Sequence, residues 1–422
     1  MMRNLHRSHV VARYLPPCMI AGLVGAFLLA VPARGQESFP EQGFIYGKIE
    51  TRSGSTYEGR MRWADEEAFW GDLFNSSKEE RPYLDDVPRE QRRRREPVRI
   101  FGISIGVRWE NTFGGRSFIA RFGDIRQIRV REGDEAVVTM KSGSEYEIDG
   151  GSNDVGGKIF IWDGEAGEIE LRWDRIRTIE FLPTPVGIEV SDHRLHGTVK
   201  TDVGEFRGFI QWDQDECLAS DELDGDSRDG RMSIEMGRIR SLERYSPSRS
   251  RVMLRDGREF ILRGTNDVDS DNRGIFVEDP RYGRVLVSWD AFESVEFADP
   301  GPSGPAYQEF APAKPLHGTV TDRDGKSYRG RIVYDIDETE SWELLNGQWR
   351  DVEYNIPFAL IAAIVPEGRD ASRVVLRSGE ELLLEDAADV DEDNAGVLIL
   401  GENSSEPTYL PWEEVRRIDF DG

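Results

Sequence analysis

Three alternating carboxylates stand out near the middle of the chain, in Asp267-Val-Asp269-Ser-Asp271-Asn-Arg-Gly274, with Glu278 at the twelfth place from the first. Acids at alternate positions closed by a twelfth-position glutamate follow the ligand arithmetic of a calcium loop. Asp267, Asp269, Asp271 and Glu278 are therefore the candidate metal ligands, and calcium is the candidate cofactor. The same string opens again at Asp389-Val-Asp391-Glu-Asp393-Asn-Ala-Gly396, but Leu400 holds the twelfth place, and an earlier version is reduced to Asn153-Asp154-Val155. The flanks alternate like strands, and Asn272 stands where a calcium loop has its turning glycine. The expected reading is the plainer one, an acidic Asn-x-Gly turn.

A second acidic set recurs at Asp65-Glu66-Glu67, at Asp213, Asp215 and Glu216, and at Asp335, Asp337 and Glu338. Paired carboxylates can cleave a glycosidic bond, but that needs one site with two differently tuned acids. Three equivalent sets point instead to a repeated structural loop. Beyond the N-terminal segment the histidines are His193, His196 and His317, and no His/Cys cluster has ligand spacing. Gly102-Ile-Ser104-Ile-Gly106 matches a nucleophile-elbow string, yet no helical pattern follows the serine as that chemistry requires. The Arg92 to Arg95 run reads as a solvated loop tip. No catalytic residue is assigned.

What positions these residues is a repeat. Gly47-Lys-Ile-Glu-Thr-Arg-Ser-Gly-Ser-Thr-Tyr57 returns as Gly197-Thr-Val-Lys-Thr-Asp-Val-Gly-Glu-Phe206 and as Gly318-Thr-Val-Thr-Asp-Arg-Asp-Gly-Lys-Ser-Tyr328. Each is followed by a second block, opening at Val138, Val252 or Val374 and closing on Trp173, Trp289 or Trp412. The chain thus falls into six half-units: 43–131 and 135–182 in copy one, 195–246 and 250–298 in copy two, 316–367 and 372–421 in copy three. A Pro/Gly-rich linker occupies 299–315. The opening Gly to closing Trp spacing is 126, 92 and 94 residues, so copy one carries roughly 33 extra residues, placed at about 76–112.

Within every half-unit an apolar residue precedes a Gly by five, and the Gly belongs at a hairpin turn that needs positive φ. Each half-unit ends on an aromatic or Met followed by apolar residues three and six further on, as in Trp289, Phe292 and Val295. Spacing of three predicts one tight helical turn before a last strand. Pattern alone suggests about five strands per half-unit. A five-stranded unit of this kind resembles the small SH3-like or Sm-like β-barrel, and Ile49 to Gly59 and Val320 to Gly330 are similar to the first Sm motif. The second Sm motif is missing, and so is the base-holding Asn, so the RNA binding of Sm-like proteins does not carry over. The fold expected is all-β, three tandem doublets of SH3-like/Sm-like barrels, with a six-bladed β-propeller as the rival.

The first 35 residues read as a signal peptide: arginines at 3, 7 and 13, an apolar run from Met19 to Val31, then Ala33-Arg34-Gly35. Cleavage would leave 50 basic and 80 acidic residues, a charge that repels phosphate backbones and speaks against nucleic acid as a partner. It would also leave Cys217 alone, without a disulfide. No transmembrane segment is expected after cleavage, and the destination is the periplasm, the envelope or the medium. The function expected is that of a non-enzymatic binding or scaffold protein with an unidentified protein or envelope ligand. The alternatives are a secreted hydrolase with an acidic site between modules and a calcium-stabilised adhesion module.

Overall fold

A computed structural model describes residues 39–40, 43–63, 66–78, 83, 86–88, 116–150, 154–190, 192–298, 304–401 and 406–422. The described chain is all-β, with antiparallel strands and 3-10 segments of a single turn. Every half-unit supplies five strands. In copy two the opening half gives His196–Thr201, Gly204–Gln211, Glu222–Ser227, Gly230–Glu235 and Ile239–Ser246. The closing half gives Arg249–Leu254, Glu259–Leu262, Ile275–Asp279, Gly283–Val287 and Phe292–Phe297.

The local signals of the sequence act where they stand. Gly54, Gly143, Gly257, Gly325 and Gly379 turn the first hairpin of their half-units with φ between +88° and +96°. Gly204, in the turn that is one residue shorter, reaches φ +152° instead. A single 3-10 turn precedes the last strand in five of the half-units, at Phe122–Asp124, Trp173–Arg175, Met236–Arg238, Phe358–Leu360 and Trp412–Glu414. The apolar triplets that follow this spacing, such as Trp289, Phe292 and Val295, are buried in all six. Residues three apart on a regular strand face opposite ways, and a register shift after the first strand residue, as between Ile176 and Thr178 or Ile239 and Ser241, is what brings both onto the inner face.

Strand pairing crosses the half-unit boundary. In copy two the fifth strand of the closing half pairs with the first of the opening half, and the sheet continues through opening strand two to closing strands three and four. The complementary sheet runs from opening strand five to closing strands one and two. It then reaches opening strands three and four, with Asp226 N donating to Arg263 O at 2.8 Å across the join. The two sheets meet where the fifth strands pair, with Ser241 opposite Glu296. Copies one and three repeat this order strand for strand. A short turn joins Ser246 to Arg249, so opening strand five and closing strand one must be antiparallel neighbours. That hairpin delivers the start of the closing half to the sheet that the end of the opening half is building.

In copy one the third and fourth strands, Leu73–Lys78 and Arg116–Arg121, pair in register although the extra residues lie between them. The linker at 299–315 does more than connect: Tyr307 lies with its ring 4.5 Å from that of Trp70 and donates its hydroxyl to Ile125 O at 2.8 Å, strapping copy one. Trp342 of copy three joins the same core beside Phe118 and Tyr146. Copies two and three share one core and a continuous edge, where Gly283–Val287 pairs with Val352–Pro357. Copies one and two meet through Phe44, Ala68 and Phe69 against Cys217 and Leu218.

Candidate functional site

The two families of acids, which the sequence separates by about fifty residues in copies two and three and by nearly ninety in copy one, come together in space. Opening strand two ends in an aromatic, or in copy two just before one, and the loop after it carries the first acids; the second set sits in the loop between closing strands two and three. The aromatic bridges them. Trp63 Nε1 donates to Asp154 O at 2.8 Å, Trp212 Nε1 to Asp267 O at 3.0 Å, and the Tyr334 hydroxyl to Asp389 O. The carboxylates of these aspartates reach the other sheet of their copy. Asp154 accepts from Asn75 N at 2.6 Å, Asp267 from Asp224 N at 2.6 Å and Asp389 from Asn346 N at 2.7 Å. One aspartate per copy therefore ties its two sheets together, with indole or phenol on one side and strand backbone on the other.

Burial of these acids changes their protonation. Desolvation, followed by the charge of Asp267, pushes Glu216 up to about 9, and desolvation holds Asp267 at about 6. Asp154 is raised to about 7 by burial, and burial lifts Glu67 well above the ordinary carboxyl range. Glu67 and Glu216 each keep Oε2 buried with no hydrogen-bond partner. Asp213 is fully buried and ionically matched: Arg273 approaches with Nη2 at 3.0 Å and Nε at 3.1 Å. Its backbone is left-handed, φ +50°, as is that of Asp335 at +48°. Ala395 takes the repeat position of Arg273 in copy three. There Asp335, Glu338 and Asp389 are all buried, with ligand atoms within 4.8 Å of one another, and among the described residues this group has the spacing to hold a metal ion.

The calcium set read from the sequence is not assembled. Asp267 is spent on Asp224, while Asp269 accepts from Gly264 N and Asp271 N, both at 3.1 Å, within its own turn. Asn272 Oδ1 accepts from Gly274 N at 2.9 Å, the Asn-x-Gly turn expected of the string. Glu278 lies on strand Ile275–Asp279 and points to the copy one junction, where it meets Arg194 at 2.8 Å and Arg284 at 2.9 Å. Burial alone would raise its pKa, but the two guanidinium groups outweigh that and hold it at about 2. Ile275 and Val277 of this strand enter the core, and strand alternation sends Glu278 to the opposite face, where the two arginines meet it.

No family model matches the sequence. No curated protein matches it either. Among solved structures, one titled "Streptogramin B lyase structure" aligns over 71% of this chain and 94% of its own at 11% identity, with a TM-score of 0.12, too low to bear on fold or function. Among the described residues no helix is long and apolar enough to cross a membrane.

The remaining sequence candidates are placed as follows. His196 is half-buried, its ring 5.4 Å from that of Phe209, and burial lowers its pKa. His317 Nδ1 lies 2.7 Å from Asp421. Burial pushes the Cys217 thiol well up, with Sγ 3.3 Å from Glu66 O, which removes the thiolate that reactivity needs. Ser104, Arg92 to Arg95 and the signal segment lie outside the described residues. The convergence of the two acid sets was not read from the sequence. Its signal was their joint recurrence at fixed repeat positions in all three copies.

Proposed function

We propose that this chain is an exported, non-enzymatic β-repeat protein that binds or scaffolds partners in the cell envelope or the extracellular space. Its five-stranded sheets are read as small SH3-like or Sm-like barrels. Strand order supports that over a propeller: in each sheet strand five lies beside strand one, in five of six cases after a single 3-10 turn, whereas propeller blades are four-stranded sheets set around a channel. The observation that carries the non-enzymatic reading is the use made of the recurring acids. Asp154, Asp267 and Asp389 are each engaged in tying two sheets together, and the arrangement is the same in every copy.

The export half of the proposal is tested by N-terminal sequencing of the protein recovered from producing cells and from their medium. A chain beginning near Gln36 is the expected result; a chain that retains Met1 throughout contradicts it. The binding half is tested against hydrolysis. Turnover of glycoside or peptide substrates that is abolished by Glu216→Gln would replace this reading with that of a hydrolase.

A further inference from the structure

Each copy presents the fourth strand of each half-unit at the outer edge of a sheet. Two such edges are joined inside the molecule: Gly283–Val287 of copy two pairs with Val352–Pro357 of copy three, with Arg284 opposite Asn355, Val285 opposite Tyr354 and Leu286 opposite Glu353. Four other fourth strands have no described strand on their outer side, and of these Gly167–Arg172 in the closing half of copy one and Gly230–Glu235 in the opening half of copy two are the two left exposed. Among the described residues each is paired on its inner side only, and each is exposed along most of its length. The joined strands, by contrast, are mostly buried.

The open edges have the same hydrogen-bonding phase as the joined ones. Gly167 lies opposite Asp163 as Gly283 lies opposite Asp279, and Gly230 opposite Ser227 as Val352 opposite Trp349. Equal registers on the inner side leave equal N–H and C=O groups facing outward. Transferring the internal register to the open pair sets Ile169 opposite Met232 and Glu170 opposite Arg231. Ile169 and Met232 are both half-buried already, each packed on the margin of its own core. Glu170 now meets Lys158 at 3.0 Å and Arg231 meets Asp224 at 2.9 Å, exposed pairs that cost little to exchange for new partners.

We propose that Gly167–Arg172 of one molecule and Gly230–Glu235 of a second copy of this chain pair antiparallel, in the register that the internal edge pair already uses. The occupant is a second copy because the fit is between two edges of the same chain: apolar side chain meets apolar, and acid meets base. An unpaired edge is a template for another strand, and a contact between two different patches is heterologous, so it propagates head to tail. The pairing does not depend on export or on the absence of catalysis.

Sedimentation velocity of the full-length chain over a range of concentrations is the test, with circular dichroism to verify that each variant is folded. The expected result is a series of species that grows with concentration. Glu170→Arg and Arg231→Glu should each weaken association by about tenfold, because each sets like charges opposite one another across the pair. Mixing the two single variants should restore assembly. The new base of the Glu170→Arg chain then faces the new acid of the Arg231→Glu chain, while the native Glu170 and Arg231 meet at the next junction. A wild-type chain that stays monomeric at every concentration overturns the proposal. So does association that is indifferent to the reversals, or folded single variants that fail to associate when mixed.

Discussion

Replacing Glu216 by Gln should make the protein less sensitive to pH, and the sign follows from the raised pKa. The carboxyl has an ordinary value of 4.5 and sits at about 9 in the fold. Between those values the folded chain holds a proton that the unfolded chain releases. Stability is therefore fully expressed below the unfolded value and is lost as pH rises through this window, at up to about 1.4 kcal/mol per pH unit. Asp267 and Asp154 contribute in the same direction over narrower windows, ending near 6 and 7. A carboxamide at 216 is neutral throughout and keeps the shape of the protonated acid. Urea unfolding followed by tryptophan fluorescence should show Glu216→Gln and wild type nearly equal at pH about 5, with the variant ahead by roughly 2 kcal/mol at pH about 8, after discounting for solvent near a partly exposed group. An advantage of equal size at both pH values, or a wild type that gains stability towards alkaline pH relative to the variant, would refute the reasoning.

Tyr307→Ala should release the strap on copy one, removing both the ring against Trp70 and the hydrogen bond to Ile125; a loss of about 3 kcal/mol is expected in urea unfolding. A change below about 0.5 kcal/mol would mean that the linker carries no such load. Asp269→Asn should leave any calcium-dependent change in melting temperature as it is in wild type, because Asp269 serves its own turn and Glu278 is held by two arginines. A response that disappears in that variant would reinstate the twelve-residue loop.

Much of the local architecture was legible because its causes are local. A positive-φ turn selects Gly, so Gly54, Gly143, Gly257, Gly325 and Gly379 marked the hairpins. The spacing of three from Trp173, Met236 or Phe358 marked the 3-10 turn and the buried face of the strand after it. Pairing between strands was not legible, since Val199 reads equally well beside the closing strand of either half-unit, and only the short turn after Ser246 fixes the exchange. The role of Asp267 was hidden for a related reason. Its partner, Asp224 N, lies 43 residues away in the other half-unit and is backbone, which leaves no trace in side-chain spacing.

The exchange of strands between half-units is the centre of this account, and a cross-link tests it most directly. Thr198 on opening strand one faces Glu296 on closing strand five, and neither side chain is buried. Directly opposed residues in an antiparallel pair lie within the Cα separation a disulfide spans. Thr198→Cys/Glu296→Cys should therefore form an intramolecular disulfide on mild oxidation, identified by peptide mass spectrometry. Thr198→Cys/Glu243→Cys, which would link the same strand to the fifth strand of its own half-unit, should not. The reverse outcome, a bond to residue 243 and none to 296, would contradict the exchange.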